Sequence, residues 1–405
     1  MSLHPSPHAL DERREAGERL RDLPADRAVP LPGQTGQTGS AGSAGSAGPA
    51  KAAARPRLRI LDGLRIVAAV LVLVHHYTRR EMWGGDAFGW LTTVGRYAWI
   101  GVELFFMISG FVICMSAWGR PLGSYLRSRV IRLAPAYWFC VLLTMGVLLA
   151  VGKPFGGSGP GLSQILTNLT MVQTPLGSTA LDPSYWTLWS EVRFYLIFAV
   201  VAWTGLTYRK VLNFCWIWTI ASLLAPGSGL PILDVLANPT YSPLFISGIC
   251  FYLIRREGPR AGEPWALLVF SWLLMQRRLN DIVQWNTVKG DRLSWEVCLL
   301  VVTLCYVVMA AVALGWLDRV DWRWLPIAGA MSYPLYLLHQ QIGITLLAKW
   351  HKDVEPWTLM LSAVAVMVLA SWLIQRFVER PMAVRLKRFL ESRPPRGRTE
   401  VREAA

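Results

Sequence analysis

The chain has 405 residues, 53% of them hydrophobic, with 20 Trp and a mean hydropathy of +0.35. Those values exclude an ordinary soluble domain, because apolar runs of bilayer length recur between short charged or Pro/Gly-rich loops. The formal net charge of +15 lies mostly beside those runs, which assigns it to membrane topology and anionic lipid and excludes nucleic acid as a partner.

Residues 1–54 are charged at first and then become the small-residue run Gly39-Ser40-Ala41-Gly42-Ser43-Ala44-Gly45. Such a segment buries too little apolar area to offset chain entropy, so a disordered cytoplasmic tail is expected, without the apolar stretch of a signal peptide. An all-α, polytopic membrane domain is expected over 55–385, followed by a polar tail over 386–405. Its apolar runs predict about ten transmembrane helices, near 60–77, 97–117, 135–151, 186–204, 211–225, 240–254, 264–276, 293–315, 324–348 and 357–377. Basic flanks such as Arg127, Arg129, Arg132, Arg209, Lys210, Arg255, Arg256, Arg380 and Arg385 fall on one side of this arrangement. They predict both termini in the cytoplasm, against the opposing signal of Arg277 and Arg278. All six cysteines lie inside apolar segments without metal-ligand spacing, and are expected to be core residues.

The first helix carries Arg65 near one end and His76 near the other, separated by roughly 16 Å of helix rise. Ionisable groups are costly in lipid, so retaining both points to a task. Counting helix rise from the loops puts Glu103, Glu191 and His339 at the depth of His76, in the outer leaflet. A neutral imidazole can take a proton from a hydroxyl, and a carboxylate on its other nitrogen fixes the tautomer. His76 with Glu103 or Glu191 is the candidate pair. Buried polar residues that only bridge helices are the structural alternative. His75 lies about 100° around the helix and is expected at the membrane interface.

Arg127, Arg129 and Arg132 fall within six residues just before the third predicted helix. Guanidinium groups offer forked, permanently charged donors to phosphate oxygens, and with Arg65 they can hold a nucleotide-like group. Orientation anchoring on anionic lipid is the other reading. No phosphate loop or dinucleotide glycine fingerprint is present. The Gly/Pro-rich segment over 152–185 is the longest external connection, either a lid over an acceptor or a passive connector.

Six ordered stretches resemble one family. They are Leu61-Asp62-Gly63-Leu64-Arg65 with His76; Gly101-Val102-Glu103-Leu104-Phe105-Phe106 with Ser109-Gly110-Phe111; Arg127 to Pro135 with Tyr137-Trp138; Tyr185-Trp186-Thr187-Leu188-Trp189-Ser190-Glu191 with Phe194-Tyr195; Ser332-Tyr333-Pro334-Leu335-Tyr336-Leu337-Leu338-His339; and Val378-Glu379-Arg380-Pro381. Together these are similar to the motifs of the acyltransferase-3 family of integral membrane acyltransferases. The resemblance implies transfer of an acetyl or other short acyl group from cytoplasmic acetyl-CoA to a sugar hydroxyl, from within a bacterial cytoplasmic (inner) membrane. It implies that His76 is the catalytic histidine and that Arg65, Arg127, Arg129 and Arg132 lie along the CoA path. Ile66 stands where the family has glycine, and Glu103 where it often has aspartate.

Two routes fit His76: deprotonation of the acceptor for direct attack, or an acyl-histidine intermediate. The thioester oxyanion needs a donor, for which Ser109, Tyr185 and backbone amides are the candidates; Trp186 and His339 are expected to line the site. The acceptor expected first is a cell-surface polysaccharide or its lipid-linked precursor, and second a small glycosylated metabolite. A multi-pass transporter is the rival of another class, but the internal repeat it would often show is not seen.

Overall fold

The structure is a computed structural model that describes residues 58–152, 161–286 and 293–392. The expected tail over 1–54, most of the tail over 386–405 and part of the 152–185 connection lie outside the described residues.

Every regular element among the described residues is helical. The principal helices are α1 (Arg59–Tyr77), α2 (Gly101–Ala117), α3 (Leu122–Val151), α4 (Trp186–Trp203), α5 (Tyr208–Leu224) and α6 (Ser242–Glu257). They continue with α7 (Gly262–Asn286), α8 (Trp295–Ala313), α9 (Leu325–Leu338), α10 (Gln341–Trp350), α11 (Pro356–Ile374) and α12 (Arg380–Glu391). Five spans are long and apolar enough to cross a membrane: Arg59–Tyr77, Trp90–Ala117, Leu122–Val151, Trp295–Ala313 and Pro356–Glu391. Length and composition thus support five of the ten expected spans. Large apolar side chains on their outer faces, among them Val67, Leu142, Leu149, Leu300 and Leu361, are exposed, as a lipid-facing surface requires.

Two helix pairs set the frame. In the first, α2 crosses α6 so closely that a Cβ on Gly248 would lie 2.0 Å from the Met107 carbonyl oxygen, and one on Gly110 would lie 2.1 Å from that of Phe245. In the second, α1 meets α9 where a Cβ on Gly329 would fall 2.5 Å from the Asp62 Cβ. Backbones approach this way in lipid because packing, not the hydrophobic effect, holds helices together there. The buried side chains form two clusters, one centred on α2, α6 and α8, the other on α1, α3 and α9 to α11. Phe105, Met171 and Tyr333 pack against both, so the clusters meet at these three side chains.

Two boundaries differ from expectation in ways that matter for function. Helix α3 starts 13 residues before the predicted 135 and runs through Pro135, so the arginine-rich stretch expected before the helix is its first turns. The predicted 324–348 helix breaks at His339 and Gln340. Asp182 holds that break: its carboxylate accepts the Gln341 N–H (2.8 Å) and the Ser184 N–H (2.8 Å). Burial pushes the Asp182 carboxyl up to about 6, with those hydrogen bonds pulling the other way.

Candidate active site

Two cavities lie along α1. The larger, about 1010 Å³, is lined by His75, His76, Trp99, Glu103, Trp186 and Tyr241. The smaller, about 330 Å³, is lined by Arg65, Ser109, Arg129, Arg132, Glu191 and Tyr195, and by the Phe105 and Tyr333 rings where the two core clusters meet. Val102 and Tyr336 line both, so they form the partition between them.

In the arginine cavity Arg129, Arg132 and Glu191 are paired, although Glu379, the partner of Arg132, keeps its Oε2 buried without a hydrogen bond among the described residues. Arg132 makes a 2.5 Å ion pair with Glu379, and its guanidinium lies 5.4 Å from the Tyr333 ring centre. Arg129 donates to Ser128 Oγ (3.1 Å) and to Ser116 Oγ (3.2 Å). Glu191 accepts from Ser109 Oγ (2.8 Å) and from the Tyr195 hydroxyl one helical turn away. Arg127 is exposed and does not line this cavity. The reason is helical: Arg129 and Arg132 are three residues apart on one face of α3, whereas Arg127 is about 200° from Arg129. Reading the cluster as a loop hid that division.

The histidine cavity is poorly paired. His76 Nδ1 and Glu103 Oε2 are buried with no hydrogen-bond partner among the described residues. His75, expected at the interface, lines the same cavity and donates Nδ1–H to the Gly95 carbonyl (2.9 Å). The His76 ring centre is 4.9 Å from that of His75 and 5.2 Å from that of His339. His339 is buried at the α9–α10 break, and its Nδ1 is 2.7 Å from the Tyr336 carbonyl oxygen. Trp186 packs against Tyr241, with ring centres 5.0 Å apart.

Of the four ionisable groups expected at one depth, His76, Glu103 and His339 therefore gather, and Glu191 does not. Glu191 belongs to the arginine cavity, because rise along a helix fixes height but not direction. Neither carboxylate is hydrogen-bonded to His76. Of the two side chains considered as oxyanion donors, Ser109 donates to Glu191 in the other cavity. Tyr185 is fully buried against Tyr137 and lines neither cavity.

Glu379, Tyr195 and Asp182 went unassigned in the sequence. Tyr195 sits at i+4 from Glu191 and Glu379 lies in a quoted motif, so both had a signal; Asp182 had none beyond its place before Pro183.

Comparison with known proteins gives a consistent result. A family model described as an acyltransferase domain, that of the acyltransferase-3 family, matches residues 58–376. The chain is also 24% identical over 375 residues to acyltransferase MdmB of Streptomyces mycarofaciens, covering 80% of this chain and 91% of that protein. No solved structure matches the chain significantly.

Proposed function

The chain belongs to the acyltransferase-3 family, and from that premise we propose that it moves a short acyl group, acetyl first, from cytoplasmic acyl-CoA to a sugar hydroxyl of a cell-surface polysaccharide or its lipid-linked precursor. The observation that carries this reading is the pair of adjoining cavities on α1: Arg65, Arg129 and Arg132 line the smaller with Glu191, and His75 and His76 line the larger together with Arg79, Arg80 and Arg96.

Arg65, Arg129 and Arg132 supply forked donors for the phosphates of CoA. The pantetheine arm then follows the smaller cavity, past Ser109 and Glu191, and brings the thioester to the Val102–Tyr336 partition. The acceptor occupies the larger cavity, where Trp99, Trp186 and Tyr241 offer flat apolar faces to sugar rings. Glu103, with one oxygen unpartnered, accepts a hydrogen bond from a neighbouring acceptor hydroxyl. His76 takes the proton of the reacting hydroxyl, the oxygen attacks the thioester carbonyl, and the C–S bond breaks. The imidazolium then returns that proton to the departing CoA thiolate, so His76 ends neutral. The basic flanks support an arginine end facing the cytoplasm, with both termini there, and a histidine end facing outward in the inner membrane.

The test is release of CoA from acetyl-CoA by the purified protein in nanodiscs with a panel of glycans, wild type beside His76→Ala. Glycan-dependent release that His76→Ala abolishes while remaining folded supports the reading. Unchanged release by His76→Ala overturns it.

A further inference from the structure

The proposed base lacks the carboxylate that usually orients such a histidine. Glu191 is engaged by Ser109 and Tyr195, and Glu103 makes no bond to His76. Something else must occupy the buried edge of the ring, since a polar atom left unmet there keeps its full desolvation penalty.

Two imidazoles lie within reach, His75 at 4.9 Å and His339 at 5.2 Å between ring centres, and of the two it is His339 that keeps a buried nitrogen without a partner among the described residues. A carbonyl oxygen only accepts, so the 2.7 Å contact with the Tyr336 carbonyl places the proton of His339 on Nδ1. Its Nε2 is then a bare lone pair, and that atom is buried with no partner among the described residues. The neighbouring ring is His76, 5.2 Å away between centres, and its Nδ1 is also buried with no partner. An N–H···N bond of about 2.9 Å between two imidazoles sets their centres roughly 5 Å apart. The two orphaned nitrogens thus belong to rings at the centre-to-centre spacing such a bond requires.

We propose that His339 is the positioning residue of His76: His339 Nε2 accepts the His76 Nδ1–H, which leaves His76 Nε2 unprotonated toward the larger cavity. This rests on the reading of His76 as the base. The relay is anchored beyond His339, because the Tyr336 carbonyl also accepts from Ser184 Oγ (3.4 Å) and the Tyr336 hydroxyl donates to the Ser184 carbonyl (3.3 Å). The Tyr336 ring packs on His339, with centres 5.3 Å apart. The break between α9 and α10 is thereby explained functionally, since it presents His339 at a helix end whose carbonyl fixes its tautomer.

Two substitutions separate positioning from packing. His339→Asn keeps an N–H at the Nδ1 position for the Tyr336 carbonyl but cannot reach His76. His339→Gln reaches His76 with an amide oxygen. With acetyl-CoA and the glycan that wild type turns over fastest, His339→Asn lowers kcat about 100-fold with KM for acetyl-CoA within twofold, and His339→Gln stays within about tenfold of wild type. In 15N-histidine-labelled protein, the His76 Nδ1–H signature is present in wild type and in His339→Gln and is lost in His339→Asn. Wild-type kcat in His339→Asn, or equal loss in both variants, overturns the relay. Unchanged turnover in His76→Ala instead removes the base reading itself, so the two failures are distinguishable.

Discussion

The two cavities share helix α1 and two wall residues, yet they differ in how their polar groups are satisfied. In the arginine cavity Arg129, Arg132 and Glu191 each have named partners, from Ser116 to Glu379. In the histidine cavity His76 and Glu103 each keep a buried polar atom unpaired, as does the adjoining His339. Native interiors rarely leave such groups unmet, so a cluster of them marks where a substrate or a proton completes the hydrogen bonding. Satisfied charges hold a ligand of fixed shape; unsatisfied ones are available to chemistry.

The sharpest way to break this contrast is to remove one group from each side. His76→Ala is expected to lower kcat by about 10³-fold with little change in KM for acyl-CoA, read as CoA release under saturating donor. Arg132→Ala acts on the other term: KM for acyl-CoA rises about 10- to 100-fold while kcat at saturation falls far less, as loss of charge-assisted bonds to phosphate requires. A variant in the frame should do neither. Gly248→Ala puts a methyl 2.0 Å from the Met107 carbonyl oxygen and is expected to cost about 1–3 kcal/mol, seen as a lower unfolding temperature in detergent with kcat per folded molecule retained.

Smaller effects are expected at two further positions. His75 lines the same cavity as His76 with its tautomer pinned by the Gly95 carbonyl, so it is the natural competitor for the role of base. His75→Ala is expected to lower kcat by less than about tenfold; a loss equal to that of His76→Ala would transfer the role to His75. Arg127→Ala, on the exposed face of α3, should leave KM within about twofold of wild type, the ordinary consequence of removing a solvated charge.

Much of this was legible in the residues. Apolar run length identified the helical class and five spans long and apolar enough to cross a membrane, and the Arg65–His76 spacing put a cation and an imidazole on one helix. What escaped the sequence was direction around each helix and the positions of breaks. Glu191 and Glu103 looked interchangeable, yet Glu191 turns toward Ser109 and Glu103 toward the His76 cavity. Arg127 looked equal to Arg129 until α3 extended through Pro135 and set them on opposite faces. The Asp182 cap on α10 joins residues 159 positions apart, a pairing that no local pattern encodes.

As proposed, donor binding and proton transfer reside in separate, adjoining cavities. This division is tested by the equilibrium affinity for acetyl-CoA, measured on wild type, His76→Ala and Arg132→Ala in nanodiscs without acceptor. The two-cavity division predicts wild-type affinity in His76→Ala and at least about tenfold weaker binding in Arg132→Ala. Full affinity in Arg132→Ala, or equal weakening in both variants, would contradict it.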